Sequence, residues 1–287
     1  MKKTTRQYLS RQSMLTNDYE IFHYADKALD RVSLHHHDFY ECYFFISGDA
    51  TYIIEGKTYS LRSGDIILIN SKELHQAIIN DKEVPYERIV LWLNPAFLSS
   101  LSTEVSDLKR CFEDEKRENV IRTNLESQQI VKSILGKLLS LEEYSGMGHD
   151  LLYRAYITEL LITLNNILFY NHDKINIEIE KSNLIEEIIQ YINSHLDEDI
   201  KIDDLSTHFY LSKFHLLREF KKHSGTTIHK YIIQKKLILA KELILKGTPI
   251  TQVYEECGFG DYSNFFRAFK NEYGVTPKQF FELMNRP

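Results

Sequence analysis

Near the C-terminus the chain writes one pattern twice. Residues 203–222 read DDLSTHFYLSKFHLLREFKK and residues 251–270 read TQVYEECGFGDYSNFFRAFK. Each stretch predicts a short amphipathic helix, a tight break, a Ser near the start of a second helix and a Phe-Lys close. A helix-turn-helix built twice restricts the fold, because both second helices must sit on one rigid helical body. Two exposed second helices on one body suit the reading of double-stranded DNA better than catalysis.

The local chemistry supports both copies. In the first, Asp203 is the expected N-cap of a helix through Phe209. Ser206 is small where two helices cross, and Leu211 plugs the turn. Ser212 then caps a helix to His223, with Leu216 and Phe220 inward and Gly225 ending it. Lys213, Phe214, His215, Leu217, Arg218 and Lys221 are left facing out. In the second copy Ile250 and Val253 point inward, Gly258 makes the turn, and Asp261 or Ser263 caps the next helix. Phe265 and Phe269 point inward there, leaving Tyr262, Ser263, Asn264, Arg267 and Lys270 outside. One such pair reads as an ordinary helical hairpin; two with matching caps do not. Between them, residues 228–246 predict a helix of about 28 Å at about 1.5 Å per residue. Successive major grooves on one DNA face lie about 34 Å apart, so such a helix can hold both units in adjacent grooves.

Net charge is −6, which disfavours a general nucleic-acid binder. Residues 206–248, however, carry nine Lys/Arg against two Glu. A basic block containing a helix-turn-helix is the expected footprint of phosphate contacts.

The other two thirds of the 287 residues divide into strands and helices. FYECYFFI, ATYIIEG, KTYSLRSG, DIILIN and ERIVLWL are short, aromatic and β-branched, with turn residues between them. They predict an antiparallel barrel or sandwich. Apolar residues then recur at three and four (Ile130, Ile134, Leu138, Leu141; Leu152, Tyr156, Leu160, Leu164, Leu168), which predicts two helices broken at SGMGHD. YNHDKINIEIEKSN reads as a polar linker. Three cysteines without a C-x-x-C pair read as buried thiols in a reducing compartment. No run spans a bilayer and MKKTTRQYLSRQ has no apolar segment, so the chain is expected in the cytoplasm.

A second constellation is His35-His36-His37-Asp38-Phe39-Tyr40-Glu41, with Gly48, Gly64-Asp65 and His75. On one extended strand 35, 37 and 41 would share a face. Three imidazoles and a carboxylate suit Fe, Mn, Ni or Zn. The same residues with Tyr43 also suit a metal-free effector pocket, and that reading is preferred, with His35, His37, Glu41, Tyr43 and His75 as its lining. Tyr40, Tyr43, Phe45, Tyr52 and Tyr59 would stack on a sugar-like ligand or serve as core.

Residues from about 184 to 281 resemble the DNA-binding domain of the AraC/XylS family of bacterial transcription regulators. The resemblance is carried by Asp204-Leu205, Ser212, Leu216, Phe220-Lys221, Gly225, Tyr231, Ala240, Ile250, Val253 and the close G-F-x-D-x-S-x-F-x-x-x-F-K-x-x-x-G-x-T-P from Gly258 to Pro277. It implies that Phe214, Leu217, Arg218, Tyr262, Ser263, Asn264 and Arg267 face the major groove. Arg218 and Arg267 are then the hydrogen-bonding readers, guanine being the commonest Arg target, and Leu217 makes apolar contact. Ser212, Lys213, His215, Lys221 and Lys270 complete the expected contacts. Three positions depart from the family: Tyr254 replaces Ala at a tight crossing, which predicts altered packing of the second unit. Phe281 replaces an Arg after the Thr-Pro turn, and Lys236 replaces an Arg in the connecting helix.

The H-x-H-x3-E-x6-G run resembles the first cupin motif, and G-x10-H part of the second, with Asn70 and Lys72 where Pro and Gly are usual. Together these readings predict an α+β chain of two domains. They are a cupin-like antiparallel barrel (1–95) with following helices for connection and dimerisation (96–172), a linker (173–183) and an all-α double helix-turn-helix domain (184–287). The expected partners are double-stranded DNA, a small-molecule effector, a second copy of the chain and RNA polymerase, with no membrane, cofactor or enzymatic activity. The competing class is a cupin metal enzyme, an oxygenase or isomerase, using His35, His37, Glu41 and His75.

Overall fold

Strand-forming residues of the first third do form strands in the structure, a computed structural model that describes residues 13–27, 29–170, 175, 177 and 179–284. These are β1 (Tyr19–Asp26), β2 (Arg31–His35), β3 (Tyr40–Ser47), β4 (Asp49–Ile54), β5 (Lys57–Ser60), β6 (Ile66–Ile69), β7 (His75–Asp81) and β8 (Tyr86–Leu93). Next come α1 (Pro95–Leu101), α2 (Arg110–Glu113), β9 (Val120–Ile121), α3 (Leu125–Ser140), α4 (His149–Phe169) and β10 (Ile179–Glu180). The strands make two five-stranded sheets, β1-β8-β3-β6-β9 and β10-β5-β4-β7-β2, antiparallel at each described pairing.

Side-chain alternation builds three layers. From the first sheet, Phe22, Tyr43, Phe45, Ile67, Val90 and Trp92 pack on Val32, Tyr52, Ile54 and Tyr59 of the second. The residues between them, such as Cys42, Phe44, Leu68 and Leu91, pack instead on α1 to α4. The first sheet is therefore covered on both faces, which is why its strands read as unbroken apolar runs. Helices α3 and α4 occur as expected, but their buried faces are rotated: Val131, Ile134, Leu135 and Leu138 are buried while Ile130 is 44% exposed. Spacing alone cannot tell the centre of an apolar stripe from its edge.

Two strands lie beyond the expected barrel. β9 pairs with β6, and β10 pairs with β5 through Ile179 and Tyr59. Much of the expected linker is thus not free: Ile175 N–H donates to Arg122 O, β10 joins a sheet, and α5 (Asn183–Ser194) begins at once. Positions 173, 174, 176 and 178 of that linker lie outside the described residues. The chain divides into two compact units, Met1–Ile54 with Thr58–Glu180, and Glu55–Lys57 with Lys181–Pro287.

The second unit continues with α6 (Ile202–His208), α7 (Lys213–Ser224), α8 (Ile228–Leu245), α9 (Ile250–Glu256), α10 (Tyr262–Tyr273) and α11 (Pro277–Met284). Asp203 is not the cap of α6. The helix starts two residues earlier, with Lys201 at N-cap, and Asp203 and Asp204 sit in its first turn, where carboxylates complement the helix dipole. Ser212 caps α7 by accepting from His215 N–H, and of the two candidates Asp261, not Ser263, caps α10. Gly225 and Gly274 close α7 and α10 in the left-handed conformation. Cys42, Cys111 and Cys257 are buried free thiols, and burial pushes Cys111 and Cys257 up to about 12. Among the described residues no helix is long and apolar enough to cross a membrane.

Candidate functional site

On α7 the residues facing in are Leu216 and Phe220, both fully buried. Lys213, Phe214, Leu217, Arg218 and Lys221 are exposed, Phe214 by 73%, and His215 is half-buried. Ser212 is exposed at the helix start. On α10 Phe265 and Phe269 are fully buried, while Tyr262, Ser263, Asn264, Arg267 and Lys270 are exposed. Each helix thus leaves one aromatic ring in solvent near its start, Phe214 on α7 and Tyr262 on α10.

The two arginines are held differently. Arg218 lies 3.2 Å from both His215 Nδ1 and Glu219 Oε1, and its guanidinium sits 5.8 Å from the Phe214 ring centre. Arg267 donates to Asn264 Oδ1 at 2.6 Å, and Asn264 donates in turn to Asp261. The α10 cap thereby orients a side chain two turns along the helix. Lys213 pairs with Asp203 of α6.

The basic block is less of a surface than its composition predicts. Lys235, Lys236 and Lys241 are buried. Lys236 Nζ donates to Glu198 O at 2.6 Å and Gly258 O at 2.5 Å, so an ammonium with rotatable donors serves two carbonyls, and no bidentate partner is involved. Lys241 lies over the Tyr273 and Phe280 rings. Tyr254 sits at the edge of the second unit's core, its ring against Tyr262 and its hydroxyl donating to Glu255. The crossing itself is made by Val253, Cys257, Phe259 and Phe265. Phe281, 37% exposed, stands beside the buried Phe280.

In the first unit the histidines converge, but not by sharing one strand. β2 ends at His35 in the second sheet and β3 begins at Tyr40 in the first, so residues 36–39 cross between sheets. His35 pairs with His75 across β2 and β7, and Glu41 pairs with Trp92 across β3 and β8. One ring nitrogen from each of His35, His37 and His75 lies within 4.8 Å of the others. His37 Nε2 is 3.7 Å from Glu41 Oε2, which accepts from Trp92 Nε1 at 2.8 Å. Burial raises Glu41 to about 7, against the pull of the Trp92 hydrogen bond and of Arg88, and lowers His35 and, further, His75.

His35, His37 and Glu41 border a small cavity of about 30 Å³, while His75, expected in its lining, is not among the residues that line it. His35, His37, Glu41, Tyr43 and Tyr52 line it as expected, with Tyr24, Tyr86, Arg88 and Trp92 in addition. Tyr40 points the other way, stacked on Phe112 at 4.7 Å with its hydroxyl on Glu113. Tyr86, Arg88 and Trp92 alternate along β8, a period visible in the sequence; that this strand lies beside Glu41 was not. Arg88 is 2% exposed, paired with Asp26 and held 4.3 Å from the Tyr86 ring centre.

A family model described as AraC-like ligand binding domain matches residues 19–162, and a helix-turn-helix domain model matches residues 205–282. The probable transcriptional regulator LumQ of Photobacterium leiognathi is 25% identical over 247 residues, 86% of this chain and 90% of that one. The transcriptional activator RhaS of Salmonella arizonae is 24% identical over 245 residues, 85% of each chain. Among solved structures, apo ToxT of Vibrio cholerae is 16% identical with a TM-score of 0.40, covering 94% of this chain and 99% of that one. With both models matched in order along the chain, it belongs to the AraC family of ligand-binding, DNA-binding transcription regulators.

Proposed function

We propose that this regulator reads double-stranded DNA through α7 and α10, set in adjacent major grooves, and answers to a small effector held in the barrel. The supporting observation is the matched exposure of the two helices. Each buries an i, i+4 apolar pair and leaves an aromatic residue and an arginine in solvent. Helix α8, with 18 residues, spans about 27 Å and bridges the two units. Arg218 and Arg267 read base edges, Phe214, Leu217 and Tyr262 make apolar contact, and Lys213, Lys221 and Lys270 meet phosphates. Ser212, His215, Ser263 and Asn264 complete the interface. Residues 1–180 form the sensor and 181–287 the DNA-binding part of a cytoplasmic homodimer, with RNA polymerase as its partner at the promoter. A sugar-sized effector requires the aromatic side chains around the cavity to move.

Binding to a selected operator tests the assignment. Arg218→Ala and Arg267→Ala each cost about 1–3 kcal/mol on the specific site and relax base preference. Unchanged affinity and preference in both variants would exclude α7 and α10 as the reading helices.

A further inference from the structure

We propose that Tyr210, in the turn between α6 and α7, anchors the protein to DNA by donating its hydroxyl hydrogen to a backbone phosphate at the edge of the groove that α7 enters; the proposal rests on α7 being a DNA-reading helix. The residue combines a strained backbone with a bare side chain. Its φ is +54°, in the left-handed region that a Cβ disfavours. Among the described residues 181–287, the other left-handed positions are all glycines: Gly225, Gly247, Gly258 and Gly274. The turn needs this conformation. Tyr210 N–H donates to Thr207 O at 3.2 Å and Leu211 N–H to Ser206 O at 2.9 Å, as the chain reverses toward Ser212, the cap of α7. Glycine would make the same turn without strain.

The ring gives the fold nothing in return. It is 95% exposed, and among the described residues the side chain has no hydrogen bond, ion pair or ring contact. Exposure by itself carries little, since single apolar or aromatic side chains on a surface are common. Tyr170 is 72% exposed, but its φ of −129° is ordinary. Tyr210 is exposed where even its backbone is unfavourable, and strain of that kind is kept at contact sites. The neighbouring surface says what the contact is. Ser212, Lys213 and Phe214 follow it, all exposed, so Tyr210 adjoins the proposed DNA face of α7. In a docked helix-turn-helix the second helix enters the groove by its N-terminal residues and the first crosses the backbone, which leaves the turn over the phosphates. A phenol is a neutral donor and phosphate oxygens are acceptors; such a bond fixes register and reads no base.

The test measures binding of the full-length chain to a selected operator and to an unrelated duplex over a range of salt, with Tyr210→Phe and Tyr210→Gly beside wild type. Tyr210→Phe keeps the ring and the turn and removes only the donor. It should weaken binding to both duplexes by the same factor, about tenfold, as for a hydrogen bond to a charged group. The salt slope stays as in wild type, because a neutral donor displaces no counterion. Tyr210→Gly loses at least as much affinity while melting at or above wild type, since glycine relieves the strain. Two variants that bind as tightly as wild type overturn the proposal. So does a loss confined to the operator, which would make Tyr210 a base reader. A Tyr210→Gly that melts several degrees lower overturns it too, by making the ring a support of the turn. Arg218→Ala separates these outcomes from the reading of α7. If it relaxes base preference while both Tyr210 variants bind normally, this inference alone fails; if it leaves binding unchanged, α7 itself is withdrawn.

Discussion

At the scale of single residues, the least expected group is Lys236. Composition counts it with the phosphate-binding block, yet it is 3% exposed and its ammonium ties the carbonyls of Glu198 and Gly258 together. Its removal leaves two acceptors without their donor. Lys236→Met should therefore lower folding stability by about 1–3 kcal/mol, read from denaturant midpoints, with the salt dependence of DNA binding unchanged. A Lys236 that acts on phosphate would show the opposite pair of results. Gly258 beside it has φ +62°, and a Cβ there would stand 2.3 Å from Glu198 O. Gly258→Ala meets both left-handed strain, about 1–2 kcal/mol, and a backbone clash. Gly247, with φ +87° and open space around it, meets the strain alone, so Gly247→Ala should melt measurably higher than Gly258→Ala.

At the scale of elements, the repeated helix pairs were legible in the sequence because caps and inward apolar pairs are local. Ser212, Leu216, Phe220, Phe265, Phe269 and both closing glycines stand where the pattern puts them. The exception at Asp203 is a two-residue boundary shift, since a carboxylate satisfies the first turn of a helix as well as its cap. The copies differ in charge: the last turn of α7 carries Lys221, Lys222 and His223, that of α10 only Lys270. Lys221→Ala is expected to weaken all DNA sequences alike and to reduce the salt slope by about one. An unaltered slope would remove Lys221 from the phosphate contacts. Helix α4 leaves Leu151, Ala155 and Ile162 exposed along one side, the first and last by 68% and 47%. These lie at seven-residue-type spacing, as on a helix that meets its copy. For the proposed homodimer, Leu151→Lys with Ile162→Glu should yield monomers on a sizing column while the melting temperature stays near wild type.

At the scale of the whole molecule, the two proposed reading helices on one support would make a geometric demand on DNA. Inserting about 5 bp, half a helical turn, between the two contacted grooves of an operator should abolish specific binding, whereas inserting about 10 bp should restore groove phase but exceed the reach of α8. Equal binding to all three operators would leave the two helices working independently. The sequence by itself determined the double helix-turn-helix, its inward and outward residues, and the strand-rich character of the first third. Each of these is written within a few turns of helix or one strand length, where period and capping chemistry act. Tertiary structure decided the rest. β9 and β10 are two-residue strands recognisable only by partners far along the chain. The buried lysines lost their part in the basic surface because their neighbours lie elsewhere along the chain: Glu55 for Lys235, Glu198 and Gly258 for Lys236, Tyr273 and Phe280 for Lys241. His35, His37 and His75 became a cluster because the chain crosses from one sheet to the other between β2 and β3, and no periodicity along a single strand encodes that crossing.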